Sequence, residues 1–155
     1  MTVLAVESSC DDTCVAVVGE DGSIRSNVIS SQRAHDHFGG VVPEIASRHH
    51  LELIDVVVER ALAEADVELD GIDLVAATQG PGLIGALLVG FSAAKGIAAA
   101  RELPFAAVDH IQGHVAANFL LAAPAHGESG QNPDGGGALS PPVALEPPFL
   151  CLIAS

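Results

Sequence analysis

The sequence predicts an α/β unit: a mixed sheet that opens with three antiparallel strands and continues with β–α alternation beneath covering helices. Three observations lead there. Short runs of β-formers, separated by polar or glycine-containing turns, fill the chain up to Ser30. From Pro43 onward, helical apolar spacing alternates with short buried-strand runs. The composition supports a core, being 49% hydrophobic and only 17% charged, where an ordinary domain has roughly 25% charged residues.

Thr2–Glu7 (TVLAVE) is an apolar run rich in β-formers, and Ser8–Asp12 is a polar turn. Thr13–Val18 forms the second strand, Glu20-Asp21-Gly22 a tight turn and Ser23–Ser30 the third strand. Ser31–Val42 reads as a loop containing His and Gly. A helix starts near Pro43, where a missing N–H costs nothing. Its buried face is Ile54, Val57, Val58, Ala61, Leu62 and Ala65, the i, i+3, i+4, i+7 pattern. Ile72–Thr78 is a buried strand that Gly80-Pro81-Gly82 breaks. Leu83–Glu102 is a second helix, almost entirely small or apolar, followed by a short strand at Phe105–Val108 and a third helix at His110–Leu121.

The character then changes. Residues 123–148 are rich in Gly, Pro, Ser and Ala and read as a flexible surface insertion. Phe149–Ala154 is again a core strand. A core strand placed last, after a long linker, predicts that the polypeptide normally continues. The expected organisation is a lobe over 1–122, an insertion over 123–148, and the start of the next strand and loop over 149–155. Three antiparallel strands followed by alternation are the pattern of one half of an actin-like or sugar-kinase-like (ASKHA) ATPase, an analogy of fold that does not give function.

Lys and Arg total 6 and Asp and Glu total 20, a net charge of −14. Such a chain is not a disordered segment, which needs low hydrophobicity. Nor is it a basic module that grips nucleic acid by its own charge, since phosphate contacts need Lys and Arg. Cys10, Cys14 and Cys151 are odd in number and include a C-x3-C spacing, so they read as small buried hydrophobes in a reducing cytosol. The N-terminus lacks the basic and apolar regions of a signal peptide. The longest apolar stretch, Leu83–Ala100, carries Lys95 and three glycines and reads as a buried helix, not a span. A cytoplasmic protein without membrane contact is expected.

Four segments could carry chemistry. The turn Ser8-Ser9-Cys10-Asp11-Asp12-Thr13 places two carboxylates and three hydroxyls at a hairpin tip, enough to hold a divalent ion or position water near a phosphate, although these are also ordinary turn residues. Gly39-Gly40 followed by a helix led by Pro43 and Glu44 could present N–H groups to an anion; Glu44 also suits the helix dipole without any function. Gly80-Pro81-Gly82-Leu83-Ile84-Gly85 sits where phosphate loops sit but lacks the Gly-Lys-Ser/Thr ending, so a turn with close helix packing explains it. The small residues of Gly85–Ala100 fit a core neighbour or a partner subunit, and this stretch, tested by a bulky residue at Gly90, is the candidate partner surface.

The sharpest segment is His110-Ile111-Gln112-Gly113-His114. On a helix, i and i+4 share a face, so both imidazoles can address one metal ion. Asp109 could orient a ring or cap the helix. A zinc peptidase of the H-E-x-x-H type needs Glu where Ile111 stands, and two His leave an ion short of ligands. His35, His37, His49 and His50 lack chelating spacing and read as surface or satisfied histidines.

These four segments in this order resemble the bacterial tRNA threonylcarbamoyladenosine transferase family, TsaD, over most of the chain outside 123–148. The resemblance implies an actin/sugar-kinase-like lobe whose second lobe is absent from this sequence. It implies transfer of a threonylcarbamoyl group from threonylcarbamoyl-AMP to N6 of adenosine 37 in tRNAs reading ANN codons. It implies one divalent metal, iron in preference to zinc, held by His110 and His114 with a third ligand outside this chain. Asp11 matches an acidic catalytic residue acting in substrate placement or proton transfer. Ile153, Ala154 and Ser155 match the beginning of a Ser-Gly-Gly-His-Thr loop over the substrate phosphate. A TsaB-like paralogue and a TsaE-like ATPase are the implied partners. The chain alone is expected to be inactive, and its −14 charge puts the tRNA contacts on the missing lobe or on partners. The alternatives are a non-catalytic TsaB-like scaffold, to which a chelating His pair would be useless, a metallopeptidase, and an ASKHA kinase.

Overall fold

The computed structural model describes residues 1–32 and 39–120. Five strands form one sheet: β1 (Thr2–Glu7), β2 (Asp12–Gly19), β3 (Ile24–Ser31), β4 (Leu74–Gly80) and β5 (Phe105–Asp109), in the order β3-β2-β1-β4-β5. β1 and β2 pair antiparallel, as do β2 and β3, whereas β4 runs parallel to both β1 and β5. The expected mixed sheet with an antiparallel start is therefore the one observed. α1 (Pro43–Glu64) and α2 (Ile84–Ala100) pack on the sheet and on each other, and α3 (His110–Ala116) follows β5 directly.

The strand alternation decides what faces these helices. Leu4 and Val6 of β1, Val15 and Val17 of β2, and Val75 and Ala77 of β4 form one core with Ile54, Val57, Val58 and Ala61 of α1 and Ala94 and Ala98 of α2. Each strand residue between them points to the other side, because successive side chains alternate. On that side Val3, Ala5, Cys14, Ala16 and Val18 are only half-buried. Four of the six apolar positions expected for α1 are buried, and Leu62 and Ala65 pack against the core's margin.

Several boundaries differ from the sequence reading. β4 begins at Leu74, because Leu69–Gly71 form a 3-10 turn and Ile72 its cap. β5 extends one residue further, to Asp109. α2 starts at Ile84 and ends at Ala100, with Leu83 and Arg101 as its caps. The third helix ends at Ala116 and passes into a 3-10 turn over Ala117–Phe119.

The larger correction concerns α2, which is not buried throughout. Its buried residues are Ala86, Gly90, Ala94 and Ala98, a stripe of small side chains at every fourth position. Ile84 (79% exposed) and Leu88 (58%) face outward. The stripe serves the core: a Cβ on Gly90 would stand 2.3 Å from Ser8 Oγ and 3.2 Å from Val6 Cγ1. Gly90 therefore admits the helix to β1, and a bulky residue there tests core packing, not a partner surface. Among the described residues, no helix is long and apolar enough to cross a membrane.

Candidate metal centre

The parallel strands β1, β4 and β5 end at one edge, the place where open α/β sheets bind ligands. Glu7 closes β1, Thr78 lies near the end of β4, and Asp109 closes β5 and starts α3. Glu7 and Thr78 both lie on the sheet face opposite α1 and α2. Together with His110, Gly113, His114 and Ala117 they line a shallow depression of about 190 Å³.

α3 forms where Asp109 leaves the strand: its Oδ1 accepts the Gln112 N–H at 3.0 Å, a side-chain N-cap. Of the two roles open to Asp109, capping is the one observed. The helix then sets His110 and His114 on one face, with ring centroids 4.5 Å apart and Nε2 atoms 3.0 Å apart. At this distance the two nitrogens can share one hydrogen as an N–H···N bond, and the same side-by-side placement could also address one ion.

The orienting group for His110 is Glu7. Its Oε2 lies 3.1 Å from His110 Nδ1, and Ser9 Oγ lies 3.2 Å from the same nitrogen. An Nδ1–H given to the carboxylate leaves the Nε2 lone pair directed at His114, the arrangement by which carboxylates set histidine ligands. Glu7 also accepts the Thr78 hydroxyl on Oε2 and the Ser9 N–H on Oε1. Burial pushes its carboxyl up, but hydrogen bonds from Ser9, Thr78 and His110 outweigh that and hold it below the ordinary glutamate value. Among the described residues no group of three His, Cys, Asp or Glu could hold a metal ion. The pair thus offers two imidazole nitrogens, with a carboxylate behind one of them.

The hairpin turn does not form the expected cation-holding tip. Ser8, Ser9 and Thr13 are all buried, at 3%, 4% and 0% exposure. Ser8 Oγ donates to the Ala86 carbonyl at 2.8 Å and accepts the Gly90 N–H at 3.1 Å. Thr13 Oγ1 lies 2.7 Å from His50 Nδ1. Asp11 is half-exposed on the same turn, is not among the residues lining the depression, and with Asp12 acts on the Cys10 thiol.

The other segments have structural explanations. Glu44 pairs with Arg48 at 2.8 Å on the exposed side of α1. Gly82 lets its loop lie against the hairpin turn: a Cβ there would stand 2.6 Å from the Ser9 carbonyl oxygen, to which Leu83 N–H donates at 2.7 Å. His50 is the satisfied histidine expected. Ile153, Ala154, Ser155, Cys151, His35, His37, His126 and the stretch 123–148 lie outside the described residues. Glu7 is a residue of the depression that sequence reasoning misses, although an acidic residue closing an apolar strand is a usable signal. Ser9 reads only as part of the turn, and nothing local marks Thr78.

The fold and site define one class: an actin/sugar-kinase-like lobe carrying an imidazole pair at the carboxyl edge of its sheet. The family model described as tRNA N6-adenosine threonylcarbamoyltransferase (TsaD) matches residues 23–133, and the chain belongs to that family. A Geobacter sp. (strain M21) protein of that name is 59% identical over 123 residues, covering 79% of this chain and 36% of the relative. A Thermus thermophilus protein of that name is 49% identical over 156 residues, covering 100% of this chain and 41% of the relative. The chain thus spans about two-fifths of the length of the curated relatives it matches. Among solved structures, YeaZ from Pseudomonas aeruginosa superposes with a TM-score of 0.53 at 25% identity, over 70% of this chain and 45% of YeaZ.

Proposed function

We propose that this chain supplies the N-terminal lobe of an enzyme that transfers the threonylcarbamoyl group from threonylcarbamoyl-AMP to N6 of adenosine 37 in tRNAs reading ANN codons. The observation that carries the reading is the convergence of His110 and His114 Nε2 at 3.0 Å, backed by Glu7, in a chain of the TsaD family. A scaffold of the same fold would have no use for that pair.

In the reaction, adenine N6 attacks the carbamoyl carbonyl carbon, the bond from that carbon to the AMP phosphate oxygen breaks, and AMP leaves. One N6 proton passes to a base, the role carried over to Asp11. His110 and His114 would hold a divalent metal, iron in preference to zinc, with a third ligand from outside this chain. Bound there, it would polarise the carbonyl or hold the threonyl carboxylate. Glu7 holds the His110 ring through Nδ1, which would leave Nε2 free for a bound ion. Ile153, Ala154 and Ser155 would contribute to binding the substrate phosphate. A TsaB-like paralogue and a TsaE-like ATPase are the proposed partners in the cytoplasm, with the exposed Ile84 and Leu88 edge of α2 as the docking side. The tRNA is held by other parts of the assembly, because a net charge of −14 repels it.

The test is reconstitution. The complete polypeptide carrying this sequence is incubated with iron, threonylcarbamoyl-AMP, tRNA and the two partners, and nucleosides are quantified by mass spectrometry. Threonylcarbamoyladenosine is expected, and none from residues 1–155 alone. A metal-loaded assembly that leaves the adenosine unmodified sinks the reading.

A further inference from the structure

His50 is the one fully buried histidine of the described residues, with 0% exposure, and the metal-centre chemistry does not use it. It projects from α1 into the base of the β1–β2 turn. Nδ1 lies 2.7 Å from Thr13 Oγ1 at the start of β2, and Nε2 lies 3.1 Å from the Cys10 carbonyl oxygen. The carbonyl can only accept, so Nε2 carries the hydrogen; a neutral ring then accepts the Thr13 hydroxyl on Nδ1. The next carbonyl along the turn, that of Asp11, accepts the Gln32 N–H at 3.2 Å, and the Gln32 side chain donates to the Ala46 carbonyl of α1 at 3.3 Å. Both peptide units flanking the Asp11 Cα are therefore held from outside the turn, one by His50 directly and one by Gln32 from the end of β3.

We infer that His50 is a positioning residue that fixes the turn bearing Asp11 against α1 through its Nε2 bond to the Cys10 carbonyl. This deepens the proposed transferase reading and rests on it where Asp11 chemistry is concerned; the clamp itself is independent of that reading. Two substitutions separate its bonds. In His50→Gln the side-chain amide reaches the Nε2 position and keeps the donor to Cys10 while abandoning Thr13. In His50→Asn the amide reaches the Nδ1 position, keeps Thr13 and abandons Cys10.

The exposed Cys10 thiol reports on the turn. Alkylation of the complete polypeptide with iodoacetamide at fixed pH is followed peptide by peptide. His50→Asn should raise the Cys10 rate by about threefold to tenfold, the worth of one hydrogen bond, with His50→Gln close to wild type. In the reconstituted transfer assay kcat should fall for His50→Asn and be restored in His50→Gln, at comparable melting temperatures. Unchanged Cys10 rates in both variants overturn the clamp, and so do losses that follow the melting temperature equally in both. Altered Cys10 rates in an assembly whose wild type transfers nothing would leave the clamp standing and overturn its part in that reaction. Should neither variant fold, 15N NMR of the wild type decides: an exchange-protected proton on His50 Nε2 supports the clamp, and a ring protonated only on Nδ1 overturns it.

Discussion

Glu7 Oε2 stands 3.1 Å from His110 Nδ1, although the two residues are 103 positions apart. That contact turns an i, i+4 histidine pair, a common feature of helix surfaces, into an oriented one. Glu7→Gln keeps the shape but can present its amide NH2 to Nδ1, which favours the wrong tautomer. Metal affinity measured by calorimetry should fall about 10-fold to 100-fold, the usual cost of losing a partner behind a histidine ligand. An unchanged affinity would mean the carboxylate does not set the ring.

Both imidazoles should be required for metal. His114→Ala removes one ligand and leaves His110 held by Glu7, while His110→Ala removes both the ligand and its link to the sheet. Both variants should lose bound metal on dialysis, as read by elemental analysis, and both should keep the wild-type far-UV spectrum, because α3 is short and peripheral. Retention of a full equivalent of metal by either would move the site elsewhere.

Two glycines of α2 should respond in opposite directions. Gly90→Val drives carbon into Ser8 and Val6 and should destabilise by about 1–3 kcal/mol in urea titration, the range for overpacking. A Cβ added to Gly96 would meet nothing within 4 Å. Gly96→Ala should therefore stabilise by up to about 1 kcal/mol through helix propensity. Equal effects at the two sites would contradict the packing described for α2.

The cysteines differ in reactivity. Burial, then the charges of Asp12 and Glu7, push the Cys14 thiol up to about 12. Burial and Asp11 also raise Cys10, but it is exposed on the turn. At pH 8 Cys10 should be alkylated well ahead of Cys14, and the difference should vanish in urea. The sign for stability follows from linkage. Between about pH 9 and 12 the unfolded chain loses the Cys14 proton and the folded chain keeps it, so the unfolded state binds fewer protons and stability falls as pH rises. Cys14→Ser should flatten that fall.

Element order is legible in the sequence because alternation and helical spacing are local signals: β1 and β2 emerge within a residue of their observed bounds, and α1 starts where Pro43 places it. The His110–His114 pair is legible for the same reason, being one helical turn apart. What escapes depends on contacts far apart in the chain. Glu7 reaches His110, Thr78 reaches Glu7 and Thr13 reaches His50 only after the sheet has brought the strand ends and α1 together. α2 misleads for a related reason. A helix of small and apolar residues gives no contrast between faces, so its sequence does not show that Ala86, Gly90, Ala94 and Ala98 turn inward and Ile84 and Leu88 outward.

Glu7 and Ser8 are consecutive, yet they end in different layers of the molecule. The carboxylate meets His110 on one side of the sheet, and the hydroxyl joins Ala86 and Gly90 of α2 on the other. A single peptide unit thus separates the α2 contact from the contact with the imidazole pair. A side chain added at Gly90 would press on Ser8, one residue away from the carboxylate that faces His110.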